Sequence, residues 1–230
     1  MDPIPALGFA DPLSSVSHLL GAAVFAVLGT RLWLRARACG RAPGAFAIYV
    51  TSVVLALAAS AAFHGATRGS EVRDLLMSID HATIFVLIAG SYTPIHMVQF
   101  SGAMRWGVLA VVWTAALAGV LAKLLLFDAI PEWFGLSLYL GLGWAGLFSA
   151  ANLYRKHGLR SLTMLIAGAL AYTFGALLEF ARVPVLIDGV IGPHEVFHGF
   201  VLLGIAAHWR YITGLLQRPA KVSSLPNPAF

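Results

Sequence analysis

Apolar runs, each about the length of a membrane crossing, recur seven times along this chain, with polar breaks between them. They lie near 16–34, 45–64, 75–97, 105–126, 134–154, 162–180 and 194–215. A bilayer-spanning helix takes about 20 predominantly apolar residues. The pattern therefore predicts an all-α integral membrane protein, a seven-transmembrane helix bundle over 16–216, with tails at 1–15 and 217–230. Gly40, Pro43 and Gly44 break the chain before the second run, and Gly65 to Asp74 turns it into the third. Asp128, Pro131 and Glu132 precede the fifth run, and Pro184, Asp188, Gly189, Gly192 and Pro193 precede the seventh. Pro94 is expected to end or kink the third helix, because it removes a backbone donor and its ring crowds the preceding turn. The segment from Pro219 to Phe230 reads as a disordered tail.

Composition agrees with a membrane environment. Hydrophobic residues make up 59% of the 230 positions and charged residues only 11%, too apolar for a soluble domain of this size. The first run is read as a true span rather than a signal peptide, because no basic segment precedes it. Cys39 is the single cysteine, so an intrachain disulfide and a cysteine-based zinc site are both excluded. Glycines 135, 141, 143, 168 and 175 are read as sites of close helix packing. Trp33, Trp106, Trp133, Trp209, Tyr154 and Tyr211 are read as an interfacial belt.

Charge sets an orientation. With seven spans, one face carries Arg31, Arg35, Arg37, Arg41, Arg105, Arg155, Lys156, Arg160, Arg210, Arg218 and Lys221. The other carries Arg68, Arg73, Lys123 and Arg182. The excess of basic residues belongs in the cytoplasm, which places the N-terminus outside and the C-terminus inside, in a bacterial inner membrane. The same bias accounts for the basic isoelectric point, through contact with anionic lipid. Membrane lipids are the partners this composition implies. Nucleic-acid binding is excluded, since no soluble basic surface with aromatics is present.

Against this apolar background, polar side chains inside the runs stand out. His194 and His198 share one helix face, about 6 Å apart along the axis. His64 closes the second run and Asp80 sits early in the third, so all four fall at one depth, on the sparsely charged side. Ser60 lies one turn before His64, on its face, and is placed to support the site. Ionisable groups in hydrocarbon are expensive without partners, and a single zinc ion would serve as a shared one. A lone intramembrane histidine is better read as structural. In that sense His18 reads as a supporting or interfacial group, His81 as a packing residue, and His96, His157 and His208 as interfacial on the basic face. The letters His194-Glu195-Val196-Phe197-His198 also spell the zincin protease motif. Val201 and Gly204 stand where a metzincin needs glycine and a third histidine, and no glutamate follows Glu195, so the protease reading is set aside.

Taken as a set, these residues resemble the progestin and adipoQ receptor family in its bacterial hemolysin III branch. The carrying segments are Ser60 to His64, Asp80-His81, Ala89-Gly90-Ser91-Tyr92-Thr93-Pro94, Leu138-Tyr139-Leu140 with Gly143-Trp144, and His194 to His198. The resemblance spans about Ser17 to Tyr211. It implies a seven-helix bundle with zinc on His64, His194 and His198, Asp80 holding the zinc-bound water as general base, and Ser60 in support. It also implies a wider relation to alkaline ceramidases and other membrane hydrolases, and hence a lipid amide or ester as substrate. Adiponectin receptors place the N-terminus and zinc on the cytoplasmic side, whereas the charges here place the metal face outside. The long N-terminal extension of the animal receptors is not expected here, and their hormone-binding role is not carried over.

Three functions compete. The first is a zinc-dependent lipid hydrolase. The second is a non-enzymatic sensor or regulator of membrane state, with zinc as a structural staple. The third, a lytic or pore protein, is disfavoured, because no row of polar residues runs through a span.

Overall fold

A computed structural model describes residues 4–6 and 8–217. The tail from Pro219 to Phe230, with Arg218 and Lys221, lies outside the described residues. Among those described, the fold is all helical, in the order α1 (Pro12–Ala38), α2 (Pro43–Gly65), α3 (Glu71–Gln99), α4 (Gly102–Leu125), α5 (Glu132–Trp144), α6 (Gly146–His157), α7 (Thr163–Phe180) and α8 (Pro193–Gly214). Short 3-10 turns at Phe127–Ala129 and Leu159–Leu162 flank α5 and α6.

Helix starts follow local chemistry. Proline opens α1, α2 and α8 at the first helical position, where its missing N–H would have had no partner anyway. Ser70 caps α3 by accepting from Arg73 N–H at 3.2 Å, with Glu71 and Asp74 in the first turn. Acids there suit the positive end of the helix dipole, and α3 begins four residues before its apolar run for this reason. Pro94 does not end α3, which continues to Gln99. At the start of α8, Glu195 reaches back to accept the Gly192 N–H at 3.0 Å and also takes Ser14 Oγ at 3.2 Å, tying α8 to α1.

The fifth run is divided into α5 and α6 at Ala145. The Tyr92 hydroxyl of α3 is inserted there, directed at the carbonyls of Leu142 and Gly143, 2.9 and 3.0 Å away. A side chain that takes ladder carbonyls bends a helix. The same hydroxyl would lie 2.9 Å from any Cβ at Gly146.

Six helical segments are long and apolar enough to cross a membrane: α1, α2, α3, α4, α5–α6 together, and Leu159–Phe180. They carry exposed leucines such as Leu20, Leu117, Leu121 and Leu177, which need lipid to cover them. The count of seven predicted from the apolar runs is met only to six. The remaining helix, α8, has 22 residues, about 33 Å at helical rise, but His194, Glu195, His198, His208 and Arg210 lower its apolarity.

Helices α1 to α4 pack in chain order, α7 pairs with α8, and α8 closes against α1 and α3. The core joins Leu32 and Ala36 of α1, Phe46, Tyr49, Val53 and Leu57 of α2, and Ile205 and Ile212 of α8. Close approach at α7–α8 rests on missing side chains: a Cβ at Gly204 would meet the Tyr172 ring at 2.6 Å. Gly168 and Gly175 pack closely too, against His208 and Phe200, but Gly141 and Gly143 face open space. Of the expected aromatic belt, Trp106, Trp133 and Tyr154 are exposed, whereas Tyr211 is buried and Trp209 stacks inward on Phe25 and Tyr49. His96 is wholly buried rather than interfacial, held by the Met104 carbonyl at 2.9 Å and Ser149 Oγ at 3.0 Å.

Candidate metal centre

The site forms where α2 ends and α8 begins. His64, the penultimate residue of α2, and His194 and His198, one turn apart on α8, bring one ligand nitrogen each to within 4.8 Å of one another. His194 Nε2 lies 3.1 Å from His64 Nε2 and 2.8 Å from His198 Nε2.

The outward nitrogens explain why the inward ones face each other. His64 Nδ1 is 2.9 Å from Asp11 Oδ2, and His194 Nδ1 is 3.2 Å from Glu179 Oε1. A carboxylate only accepts, so each Nδ1 carries the proton and donates it. In the neutral ring each Nε2 is then a bare lone pair turned inward. Two bare lone pairs at 3.1 Å repel, and a cation among them removes the repulsion. Metal-binding histidines characteristically donate their second N–H to a carboxylate in this way. Nitrogens bound at about 2.0–2.1 Å around a tetrahedral ion stand roughly 3.3 Å apart, so the two spacings from His194 need widen only by a few tenths of an ångström, while His64 and His198 lie within 4.8 Å of each other and would draw together around the ion. The donor set fits a divalent metal that accepts imidazole.

Asp11 anchors the outer layer. It directly precedes α1, is buried, and accepts from Arg68 at 2.7 Å and Arg73 at 2.6 Å as well as from His64. Its own N–H donates to the His64 carbonyl at 2.9 Å. Burial alone would raise the Asp11 carboxyl, at a cost of several kcal/mol to the ion. Hydrogen bonds from His64, Arg68 and Arg73 outweigh this and hold it well below the usual carboxylate range. That ordering is reasonable, since hydrogen bonds to charged groups contribute about 1.5–3 kcal/mol each. Behind His194, Glu179 of α7 also takes Arg182 at 2.7 Å, and Arg182 reaches Glu132 at the start of α5 at 2.9 Å. Behind His198, His18 of α1 places Nε2 2.7 Å from Nδ1, with ring centroids 4.1 Å apart.

The structure thus brings together His64, His194 and His198. Asp80 lies outside that trio, half-buried on α3, on the wall of the same cavity. Ser60 is buried on that wall, close enough to Asp80 to act on its carboxyl, yet its hydroxyl completes no hydrogen bond of good geometry. His81 turns away, with Nδ1 on the Met77 carbonyl at 2.9 Å and its ring against Phe127. Sequence reasoning missed Asp11 and Glu179 and placed His18 only loosely. Glu179, an acid within the apolar stretch Leu177 to Phe180, carried a signal; Asp11 looked like ordinary helix punctuation.

The cavity has a volume of about 1060 Å³. It extends from the histidines and Asp80, past Leu87 and Tyr139, to Tyr92, Trp144 and His208 toward the far end of the bundle. On the α5 side it is lined by Gly135, Leu136, Tyr139, Leu140, Gly143 and Trp144, and Gly135 is the one buried residue of that helix.

Comparison with known proteins identifies the family of this chain. The hemolysin-3 homolog of Bacillus subtilis (strain 168) is 30% identical over 165 residues, covering 70% of this chain and 72% of the relative. Hemolysin-3 of Bacillus cereus is 30% identical over 162 residues, covering 70% of each. The family model described as Haemolysin-III related matches residues 9–209, a stretch that begins just before Asp11 and takes in all three clustered histidines. This chain is therefore an integral membrane protein of the haemolysin III family.

Proposed function

We propose that this protein is a zinc-dependent hydrolase acting on a lipid amide or ester within the membrane. The observation that carries the reading is the convergence of three imidazole Nε2 atoms, two of them backed by carboxylates. Three histidines leave a zinc ion one open position, the mark of a catalytic rather than a closed structural site. When bound there, zinc supplies Lewis acidity toward water and a carbonyl oxygen.

The chain's own residues do the rest. His64, His194 and His198 hold the ion, and Asp11, Glu179 and His18 fix the rings that hold it. Asp80 takes a proton from the attacking water and returns it to the leaving nitrogen or oxygen. Ser60, whose hydroxyl has no other partner, steadies that carboxylate. The mainly apolar cavity takes the hydrocarbon chain, which enters from the bilayer. In this reading α8 is the seventh span, lodged against α7 and α1, with Glu195 and His198 buried in protein rather than turned to lipid. The N-terminus and the metal lie outside the cell, and the C-terminus lies in the cytoplasm of a bacterium, at its inner membrane.

A second reading has its own support. The histidines and their partners draw on α1, α2, α7 and α8 at once, so zinc could serve as a staple in a sensor of membrane state. Lysis belongs to the names of the relatives and gains nothing from an apolar cavity. The deciding experiment incubates lipid extracts with the purified wild type and with Asp80→Ala, and compares products by mass spectrometry. A fatty acid or sphingoid base released by the wild type alone supports the hydrolase, and identical profiles from a zinc-loaded wild type and the variant remove it.

A further inference from the structure

Four basic side chains lie at the metal end of the bundle, and three of them are neutralised. Arg68 and Arg73 pair with Asp11 at 2.7 and 2.6 Å, and Arg182 pairs with Glu132 and Glu179 at 2.9 and 2.7 Å. The fourth, Lys123 in the last turn of α4, has no acidic partner and no hydrogen bond among the described residues. A lysine near a helix end ordinarily extends its ammonium out to the headgroup layer. Lys123 does the opposite. Its exposure is 5% and it lines the cavity that holds the histidines. Nζ rests 4.8 Å from the centre of the Phe127 ring, and any Cβ on Gly135 would come within 3.1 Å of it.

The surroundings hold the ammonium without neutralising it. The Phe127 face offers cation–π attraction, and the backbone of α5 can come this near because residue 135 is glycine. Lys123 and the three histidines line one cavity, yet Lys123 is not among the clustered ligands, so it stands near the site without belonging to it. A buried cation that faces a cavity and lacks a counter-ion is placed for an anion that arrives with the ligand.

We propose that Lys123 is the residue by which the cavity selects acidic lipids, pairing with a carboxylate or phosphate while the hydrocarbon chain lies along the apolar wall toward Tyr92 and Trp144. The proposal rests on the cavity being a lipid site, as in the function above, and adds its substrate class. The bond to be cleaved then lies close to the acidic group, as in an N-acyl amino acid or a phospholipid ester, since Lys123 and the histidines share one end of the cavity.

The test is a binding measurement that needs no turnover. Purified full-length protein in neutral detergent is titrated with a fluorescent fatty acid, the alkyl phosphate of the same chain, and the corresponding primary alcohol. Wild type is expected to bind at least one acid on the order of 10- to 100-fold more tightly than the alcohol, the range for a hydrogen-bonded charge. The tighter of the two acids identifies carboxylate or phosphate as the source. Lys123→Gln is expected to abolish the preference while keeping alcohol binding within about twofold, and Lys123→Arg to retain most of it. His198→Ala is expected to keep the preference, which separates this proposal from the zinc assignment. Equal wild-type affinity for acid and alcohol overturns the role of Lys123, as does a preference that survives Lys123→Gln. Failure of all three probes to bind overturns the lipid cavity itself. Should Lys123→Gln not fold, the wild-type comparison and Lys123→Arg still decide.

Discussion

Asp11 Oδ2 lies 2.9 Å from His64 Nδ1 and 2.6 Å from Arg73, so a residue ahead of the first helix aims a metal-capable imidazole at the end of the second. The His64 ring cannot turn without breaking this bond. Asp11→Asn keeps the size of the side chain but loses the charge that fixes the imidazole tautomer. Its zinc affinity is expected to fall about 10- to 100-fold, the usual effect of losing such an outer partner. Competition with a chelator measures it, and unchanged affinity would remove Asp11 from the centre.

The same carboxylate sets an acid limit on stability. Its folded pKa lies below the unfolded value of about 3.9 because His64, Arg68 and Arg73 outweigh the opposing burial. A lowered folded value means that the stabilisation is complete above the unfolded pKa and is lost as pH falls toward the folded one. Melting temperature measured in detergent with chelator present is expected to show no contribution from Asp11 titration between pH 7 and about 5, and a loss below about 4. Asp11→Asn should lack that acid component while being less stable at neutral pH.

His194→Ala and His198→Ala are each expected to lose most bound zinc, which elemental analysis of the purified protein reads directly. Because His64 and the α8 pair lie on separate helices, chelation of the wild type should lower its melting temperature, and chelation of either variant should lower it little. Full zinc occupancy in both variants would refute the ligand set.

Asp80 stands on the cavity wall outside the histidine trio. Asp80→Asn is expected to keep zinc and the folded bundle while losing any hydrolysis of lipid, by a factor of about 100 or more if it serves as the general base. Zinc loss as complete as in the histidine variants would make Asp80 a direct ligand and favour the staple reading.

Orientation is open to a reporter fused after residue 217. The charge bias of eleven basic residues against four predicts that end in the cytoplasm. The fusion is expected to fluoresce as a cytoplasmic protein and to show no periplasmic phosphatase activity, and the reverse result would invert the topology.

The apolar runs alone determined a helical membrane protein, because about 20 apolar residues in succession have no other stable home. They also delivered the three histidines, since an imidazole in such a run is costly and the spacing of four puts His194 and His198 on one face. Three things were decided only by packing. The division of the fifth run at Ala145 depends on Tyr92, some fifty positions away, taking the carbonyls of Leu142 and Gly143. The inward burial of Lys123 depends on a glycine of the neighbouring helix, and nothing in the local string Ala122-Lys123-Leu124 separates a lipid-facing lysine from a cavity-facing one. The outer layer of the centre joins Asp11 to His64, Glu179 to His194 and His18 to His198. Periodicity places residues on one helix relative to each other, but which partner stands across the gap is set by how α1, α2, α7 and α8 meet, and hydrogen bonds between helices leave no mark at a fixed spacing in the chain.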